Sequence, residues 1–285
     1  MRCVPGAGPV SIHALAAGLV NESYRVARSG KQYSLRVAAA DSPGLGLDRE
    51  WECRVLASAA DAGLAPAIRC CEPAQGVLVA EWVPCRAWTA EEITQPDNIR
   101  TMARLLRGVH ALRIAPPIRA ISPALWIARY SASLPDLPTA LLREAAEDRL
   151  ALLATCPPGA GVLCHSDLHR LNVAVGERIM LLDWEYAHVS DPYWDLAGWI
   201  ANSDGSAQFA AQLLASYLER PALADESARL GLFVWLYDYV CLLWSGLHLT
   251  RGSGAGCREV AVRMKRLAQR LTDASGGRAG RVPAH

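Results

Sequence analysis

The chain has 285 residues, 52% hydrophobic and 20% charged, with a formal net charge of +1. That length supports one large domain or two lobes with their own cores, and the composition excludes a disordered chain. The near-neutral charge leaves no electrostatic footprint for a nucleic-acid or membrane-surface partner.

Nine cysteines include the adjacent Cys70 and Cys71, with no CxxC pair and no Cys/His zinc spacing. This pattern points to reduced thiols in a cytoplasmic protein rather than to a disulfide framework. Ala14-Leu15-Ala16 has the small-residue look of a signal-peptidase site, but Pro5, Pro9, Ser11 and His13 break any apolar run before it, so no signal peptide is expected. The most apolar later stretch, Leu230 to Leu249, carries Asp238 at its middle and reads as a buried helix rather than a membrane span.

Residues 19–26 and 33–38 alternate apolar and polar side chains and predict two strands, with Ser29-Gly30 as the hairpin turn. A loop with Pro43, Gly44 and Gly46 follows. Asp48 is placed to cap a helix running to about Ala62; Gly63 ends it and Pro66 forbids its continuation. Residues 68–72 and 76–82 predict a second strand pair, split by Pro73 and Gly76, and Pro84 marks a junction. From Asp97 the pattern is helical, with Met102, Leu105, Leu106 and Val109 on one face of a helix over 97–112. Further helices are expected at 138–154, 206–219, 224–249 and 256–272, interrupted by a β-rich patch at 162–184, and the tail from Ala274 is expected to be disordered. The expectation is an α+β chain: a small sheet lobe with one helix over 1–83, a larger, mainly helical lobe over 84–273, and a tail over 274–285.

Chemistry concentrates between Val162 and Asp195, where His165, Asp167, His169, Asn172, Asp183, Glu185, Asp191 and Asp195 surround short apolar runs. The runs 173–175 and 179–182 flank Gly176-Glu177 and predict a hairpin, which brings Asn172 and Asp183 nearly opposite each other. Amide and carboxylate oxygens side by side suit a hard cation such as Mg2+. Asp167, in a polar loop just before the hairpin, is a carboxylate that can take a proton from an attacking hydroxyl. The order H-x-D-x-x-x-x-N, then an apolar strand and Asp, is the layout that phosphoryl transfer from ATP requires. A lone HxD would more often be a turn or a cap; four such residues on a strand-loop-strand unit after a small sheet lobe are a more specific signal.

HSDLHRLN and LLDWEYA resemble the catalytic and metal-binding motifs of the aminoglycoside phosphotransferase and choline kinase superfamily, and the similarity runs from about Gly18 to the final helix. It implies a bilobal, protein-kinase-like fold. It also implies Asp167 as the catalytic base, His165 in the same motif holding the catalytic loop, and Asn172 and Asp183 as Mg2+ ligands. DWE stands where protein kinases carry DFG, and APE is absent, so the resemblance implies a small-molecule kinase using ATP and Mg2+. GLVNESYRV resembles the nucleotide-covering hairpin of choline and thiamine kinases, with Gly18 and Asn21 at the turn; the backbone N–H groups of such a turn can hold phosphate oxygens. In YSLRV, Arg36 sits where protein kinases carry lysine, with Glu50 as the expected carboxylate partner and Glu52 as the fallback. LVAEWVPCRAW resembles the hinge between lobes, with Glu81 to Val83 offering backbone groups to adenine. Asp195 is expected to brace the catalytic loop, Asp191 to form a turn before Pro192, and Glu185 is open between a second metal, the substrate and a structural hydrogen bond.

There are nine Trp and two Phe. Trp235, Asp238, Tyr239 and Leu242 share one helical face, and aromatic faces with one carboxylate can hold a cation. Trp184, Tyr193 and Trp194 are expected to border the same cleft. The segment also looks like the Trp-rich helix of choline and thiamine kinases, which makes a choline- or thiamine-type acceptor the first expectation. An aminoglycoside or sugar phosphotransferase is the alternative, and a catalytically inactive nucleotide-binding protein is a third reading from another class.

Overall fold

The computed structural model describes residues 3–15, 20–38, 45–134, 137, 139–157, 159–251 and 256–276. Alternating side chains build a five-stranded antiparallel sheet from β1 (Val10–Ala14), β2 (Asn21–Arg28), β3 (Lys31–Ala38), β4 (Ile68–Glu72) and β5 (Val77–Glu81), in the spatial order β1-β2-β3-β5-β4. Val26, Tyr33 and Val79 bury their side chains on one cluster, from three neighbouring strands. Ser29 and Gly30 both take positive φ (50° and 73°), the twist that a two-residue hairpin turn needs. β1 was not expected from the sequence; its five residues, VSIHA, do alternate, but it is a short edge strand with four of the five exposed.

Helix α1 (Arg49–Asp61) starts at Asp48, whose carboxylate accepts from the Trp51 N–H at 2.9 Å, a cap worth about 1 kcal/mol. It stops at Gly63, whose φ of +70° is a left-handed conformation that favours glycine. Then follow α2 (Ala90–Ile93), α3 (Pro96–Ala111), α4 (Pro123–Ser131), α5 (Ala140–Thr155), β6 (Val162–Cys164), β7 (Val173–Val175), β8 (Ile179–Leu181), β9 (His188–Ser190), α6 (Tyr193–Asn202), α7 (Ala207–Leu218), α8 (Ala224–Arg251) and α9 (Cys257–Gly276). Helix α6 was not expected from the sequence because nearly every residue in it is buried, which erases helical periodicity. Helix α4, capped by Ser122, was also unexpected; at nine residues it spans too few turns to show a periodic face. Residues 274–276 of the expected tail are the last turn of α9, and 277–285 lie outside the described residues.

The chain groups into two compact units: Met1–Ala120 with Gly161–Pro221, and Ile121–Ala160 with Ala222–His285. The first unit contains residues on both sides of the 83/84 junction, and backbone hydrogen bonds join its segments there. Arg86 and Val175 exchange backbone hydrogen bonds at 3.1 and 2.8 Å, and the Leu181 N–H reaches the Leu64 carbonyl at 2.8 Å. In the second unit α8 packs on α9, α4 and α5. Helix α8 is long and apolar enough to cross a membrane, yet 72% of its most apolar window is buried inside the protein, as in a core helix.

The cysteines depart from expectation. Disulfides join Cys3 to Cys70 and Cys53 to Cys71, with Cα separations of 5.1 and 6.0 Å that suit the bond. Consecutive strand residues point to opposite faces. Cys70 therefore meets Cys3 on one side of β4 while Cys71 meets Cys53 of α1 on the other. Sequence separations of 67 and 18 gave no hint of this. Cys85, Cys156, Cys164, Cys241 and Cys257 remain free thiols. Thiol titration of the unreduced, denatured protein should therefore count five groups, rising to nine after reduction.

Candidate active site

Strand β6 delivers the chain into a loop that the fold pins from beneath. Asp195, 1% exposed at the start of α6, accepts from the backbone N–H of His165 at 2.8 Å and of Ser166 at 2.7 Å, and it meets His110 Nε2 at 3.2 Å. Burial alone would raise the Asp195 carboxyl; His110, His165 and the donated N–H bonds outweigh it and hold the group below the usual range. Ser166 takes φ +72°, so the pinned backbone turns sharply toward Asp167. His165 is fully buried and its pKa is lowered by burial. Its Nε2 donates to the Leu182 carbonyl at 2.9 Å, and the Asp167 N–H points at its Nδ1 at 3.4 Å. His165 thus ties the loop to the chain directly after β8, and Trp184 packs on its ring at 4.7 Å.

Asp167, with 29% of its side chain exposed, presents its carboxylate at the loop's open end. The Asn172 amide donates to the Asp167 carbonyl at 2.9 Å and to its Oδ2 at 3.3 Å. That spends the nitrogen of Asn172 and leaves its Oδ1 as the atom able to meet a cation. The β7–β8 register pairs Val173 with Leu181, and the Leu182 N–H bonds the Asn172 carbonyl at 2.8 Å, so Asp183 follows directly alongside. Asp183 has φ +63°, a left-handed conformation that costs a non-glycine residue about 1 kcal/mol or more and re-aims its side chain.

Across from Asp183, the Arg36 guanidinium of β3 donates to Asp183 Oδ1 at 3.0 Å and to Glu52 of α1. Burial would lower the Arg36 pKa, but Glu52, Asp183 and Glu185 reverse the sign and fix its charge. Glu52, 3% exposed at its side chain, is therefore the partner; Glu50, expected first, is exposed. The two sit about 200° apart around a 3.6-residue helix, so only one can face the sheet. Arg49, which the sequence reading missed, bridges Glu52 and Glu185, each at 2.8 Å, and donates to Asn21 Oδ1 at 2.9 Å. The only signal for it was the i,i+3 spacing to Glu52.

Asn21 opens β2, and its amide donates to Glu185 Oε2 at 2.8 Å, so its side chain is spent inside this network. Gly18 lies outside the described residues. Glu185 is 3% exposed, and its pKa is raised by burial and by the neighbouring Asp183 charge. Two guanidinium groups here face three carboxylates, and the remaining donors are all oxygen. That charge balance and donor chemistry fit Mg2+ at Asn172 and Asp183.

At the expected hinge, the N–H groups of Glu81 and Trp82 are committed to the carbonyls of Ala67 and Gln32, and the Glu81 side chain pairs with Arg69. Among the described residues the Val83 N–H makes no hydrogen bond, so Val83 rather than Glu81 has a donor to offer. Trp184, Tyr193 and Trp194, expected to border a cleft, are 1%, 9% and 2% exposed and belong to the core.

The expected cation face of α8 is also occupied. Arg149 of α5 lies over the Trp235 ring at 4.1 Å, and Asp238 pairs with Arg270 of α9. Tyr239 stacks on Trp235 with centroids 5.3 Å apart.

Replacing Asp195 with Ala should destabilise the protein by about 3 kcal/mol in urea unfolding, because two buried N–H groups lose a charged acceptor. A group held below its usual pKa stabilises above the unfolded value and loses that contribution on acidification. The stability gap between wild type and Asp195→Asn should thus shrink as pH falls below about 4.

Residues 11–231 match the phosphotransferase enzyme family. No curated protein matches the chain. Among solved structures, a choline/ethanolamine kinase family protein from Mesorhizobium loti is 25% identical with a TM-score of 0.75, over 93% of this chain and 88% of that one. Choline kinase LicA from Streptococcus pneumoniae is 22% identical with a TM-score of 0.78, over 94% of each chain. A spectinomycin phosphotransferase, solved with ADP and spectinomycin, is 15% identical with a TM-score of 0.62, over 94% of this chain and 93% of that one. The antiparallel sheet with one helix and the mainly helical remainder are therefore a kinase-like fold, and the chain belongs to the phosphotransferase enzyme family as a small-molecule kinase.

Proposed function

We propose that the protein transfers the γ-phosphate of ATP to the hydroxyl of a small amino alcohol, with Asp167 as the general base. The observation that carries this reading is one connected set of side chains: Asn172 bonds Asp167, Asp183 stands beside Asn172, and Arg36 bonds Asp183 and Glu52. Asp167 accepts the hydroxyl proton as the oxygen attacks phosphorus in line, with no phosphoenzyme. Arg36, oriented by Glu52, holds nucleotide phosphates, and Val83 offers its N–H to adenine. Asn172 and Asp183 would hold Mg2+, which when bound neutralises phosphate charge. Solved complexes of LicA with AMP and of the spectinomycin enzyme with ADP support a nucleotide as donor. The use of ATP favours the cytoplasm, while the two disulfides are of a kind rare in that reducing compartment.

For the acceptor, the choline/ethanolamine class comes first, on the strength of the Mesorhizobium loti and LicA likenesses. The aromatic-face argument for choline or thiamine is weakened by Arg149 and Arg270. With that support for a quaternary cation reduced, ethanolamine is the acceptor this reading puts first, on the choline/ethanolamine likeness. An aminoglycoside-type acceptor stays as the second reading.

The test offers purified protein, Mg2+ and ATP with ethanolamine, choline, thiamine, kanamycin and simple sugars, following ADP release. Ethanolamine should give the highest kcat/KM, and silence across the panel would remove the proposed acceptor class. With the best acceptor, Asp167→Asn should lower kcat by about 10² to 10⁴ with little change in ATP affinity. Unchanged turnover in that variant would return the protein to the class of nucleotide binders. Glu52→Gln should raise the KM for ATP about tenfold or more while Glu50→Gln leaves it alone; equal effects would argue against the Arg36–Glu52 assignment.

A further inference from the structure

Arg49 stands where helix electrostatics disfavours it. It is the first residue of α1, and the unpaired N–H groups of a helix N-terminus repel a cation. Its side chain is nonetheless only 16% exposed, and its guanidinium folds onto three acceptors. Nη1 donates to Glu52 Oε2 and to Glu185 Oε2, each at 2.8 Å, and Nη2 donates to Asn21 Oδ1 at 2.9 Å. The Asn21 amide closes a triangle by donating to Glu185 Oε2 at 2.8 Å. These residues, Arg36 and Asp183 all belong to the first compact unit.

The consequence falls on Arg36. A guanidinium and a carboxylate pair most strongly in a fork, with two N–H groups on two oxygens. Arg36 instead divides its two Nη groups: Nη2 donates to Glu52 Oε1, and Nη1 to Asp183 Oδ1 at 3.0 Å. The second oxygen of Glu52 is already spent on Arg49. A lysine on that strand would raise no such competition, because its single ammonium carries no fork. We propose that Arg49 is a positioning residue for the nucleotide phosphates: by holding Glu52 Oε2 it prevents a forked Arg36–Glu52 pair and keeps one Nη group of Arg36 turned toward Asp183 and the phosphates. Arg49 acts through Glu52 and does not touch the nucleotide. This deepens the phosphotransferase reading above, on which the presence of a nucleotide rests, and it is independent of which alcohol is the acceptor.

The test compares ADP with adenosine, each titrated calorimetrically into the full-length protein with Mg2+. Adenosine lacks the phosphates that Arg36 holds, so it reports whether the rest of the nucleotide site is intact. Arg49→Met keeps the apolar stem without the charge; it should weaken ADP about tenfold or more and leave adenosine within about twofold of wild type. Arg49→Lys keeps a charge beside both carboxylates but cannot fork to three acceptors, so it should weaken ADP less than Arg49→Met does, again sparing adenosine. Thermal melting reports the fold of each variant, and the lysine variant decides the matter if the methionine variant unfolds. Added to Glu52→Gln, Arg49→Met should cost less than about twofold more in ADP affinity, because the competing carboxylate is already gone. Folded variants that bind ADP as wild type does would overturn the proposal, and so would equal weakening of adenosine. A full loss repeated in the Glu52→Gln background would overturn it too, since Arg49 would then meet the phosphates itself. Wild type that binds neither ligand removes the phosphotransferase reading and this assignment with it; wild type that binds both while the variants depart from the pattern removes the assignment alone.

Discussion

One guanidinium on β3 organises the catalytic half of this protein. Arg36 reaches Glu52 on α1 and Asp183 beyond the β7–β8 hairpin, so sheet, helix and hairpin meet at a single charge. Taking an ion pair out of water is costly unless every partner is supplied. Here the partners come in a chain, with Arg49 joining Glu52 to Glu185 and Asn21 completing the shell. Removing one member would leave a buried charge uncompensated, which is why the network fixes where α1 sits on the sheet. In this network three carboxylates, Glu52, Asp183 and Glu185, face two guanidinium groups, Arg36 and Arg49.

A second constraint lies beneath the first. Asp195 takes the N–H groups of His165 and Ser166 while His110 holds its other side. Two non-glycine residues, Ser166 and Asp183, sit at positive φ on either side of the hairpin. Such backbone is retained only where its surroundings over-determine it. Both strained residues stand in the candidate site: Ser166 directly precedes Asp167, and Asp183 meets Arg36. Burial lowers the pKa of His165, whose ring bonds the Leu182 carbonyl and so links the loop to the chain just after β8.

The aromatic helix carries a different lesson. Trp235, Asp238 and Tyr239 were legible as a set of groups that hold cations, and the set does hold them, but the cations are Arg149 and Arg270 of the same chain. Spacing along α8 determines which side chains share a face. It cannot tell what α5 and α9 lay on that face, because those partners lie tens of residues away and approach only through packing.

The sequence alone determined a good deal. The order of His165, Asp167, Asn172 and Asp183 around a hairpin follows from local rules of turn and alternation, so the phosphotransferase layout could be read directly. So could α1, because its start and stop are chemical signals at Asp48 and Gly63. Two elements went unread: α6, buried almost throughout and so without helical periodicity, and β1, whose VSIHA alternates but is only five residues long. Only the tertiary structure chose Glu52 over Glu50, recruited Arg49, paired Cys70 and Cys71 with separate partners, and filled the aromatic face from within. Each of these depends on which of several chemically equivalent groups is brought within a few ångströms of a distant one, and that distance is set by packing rather than by spacing along the chain.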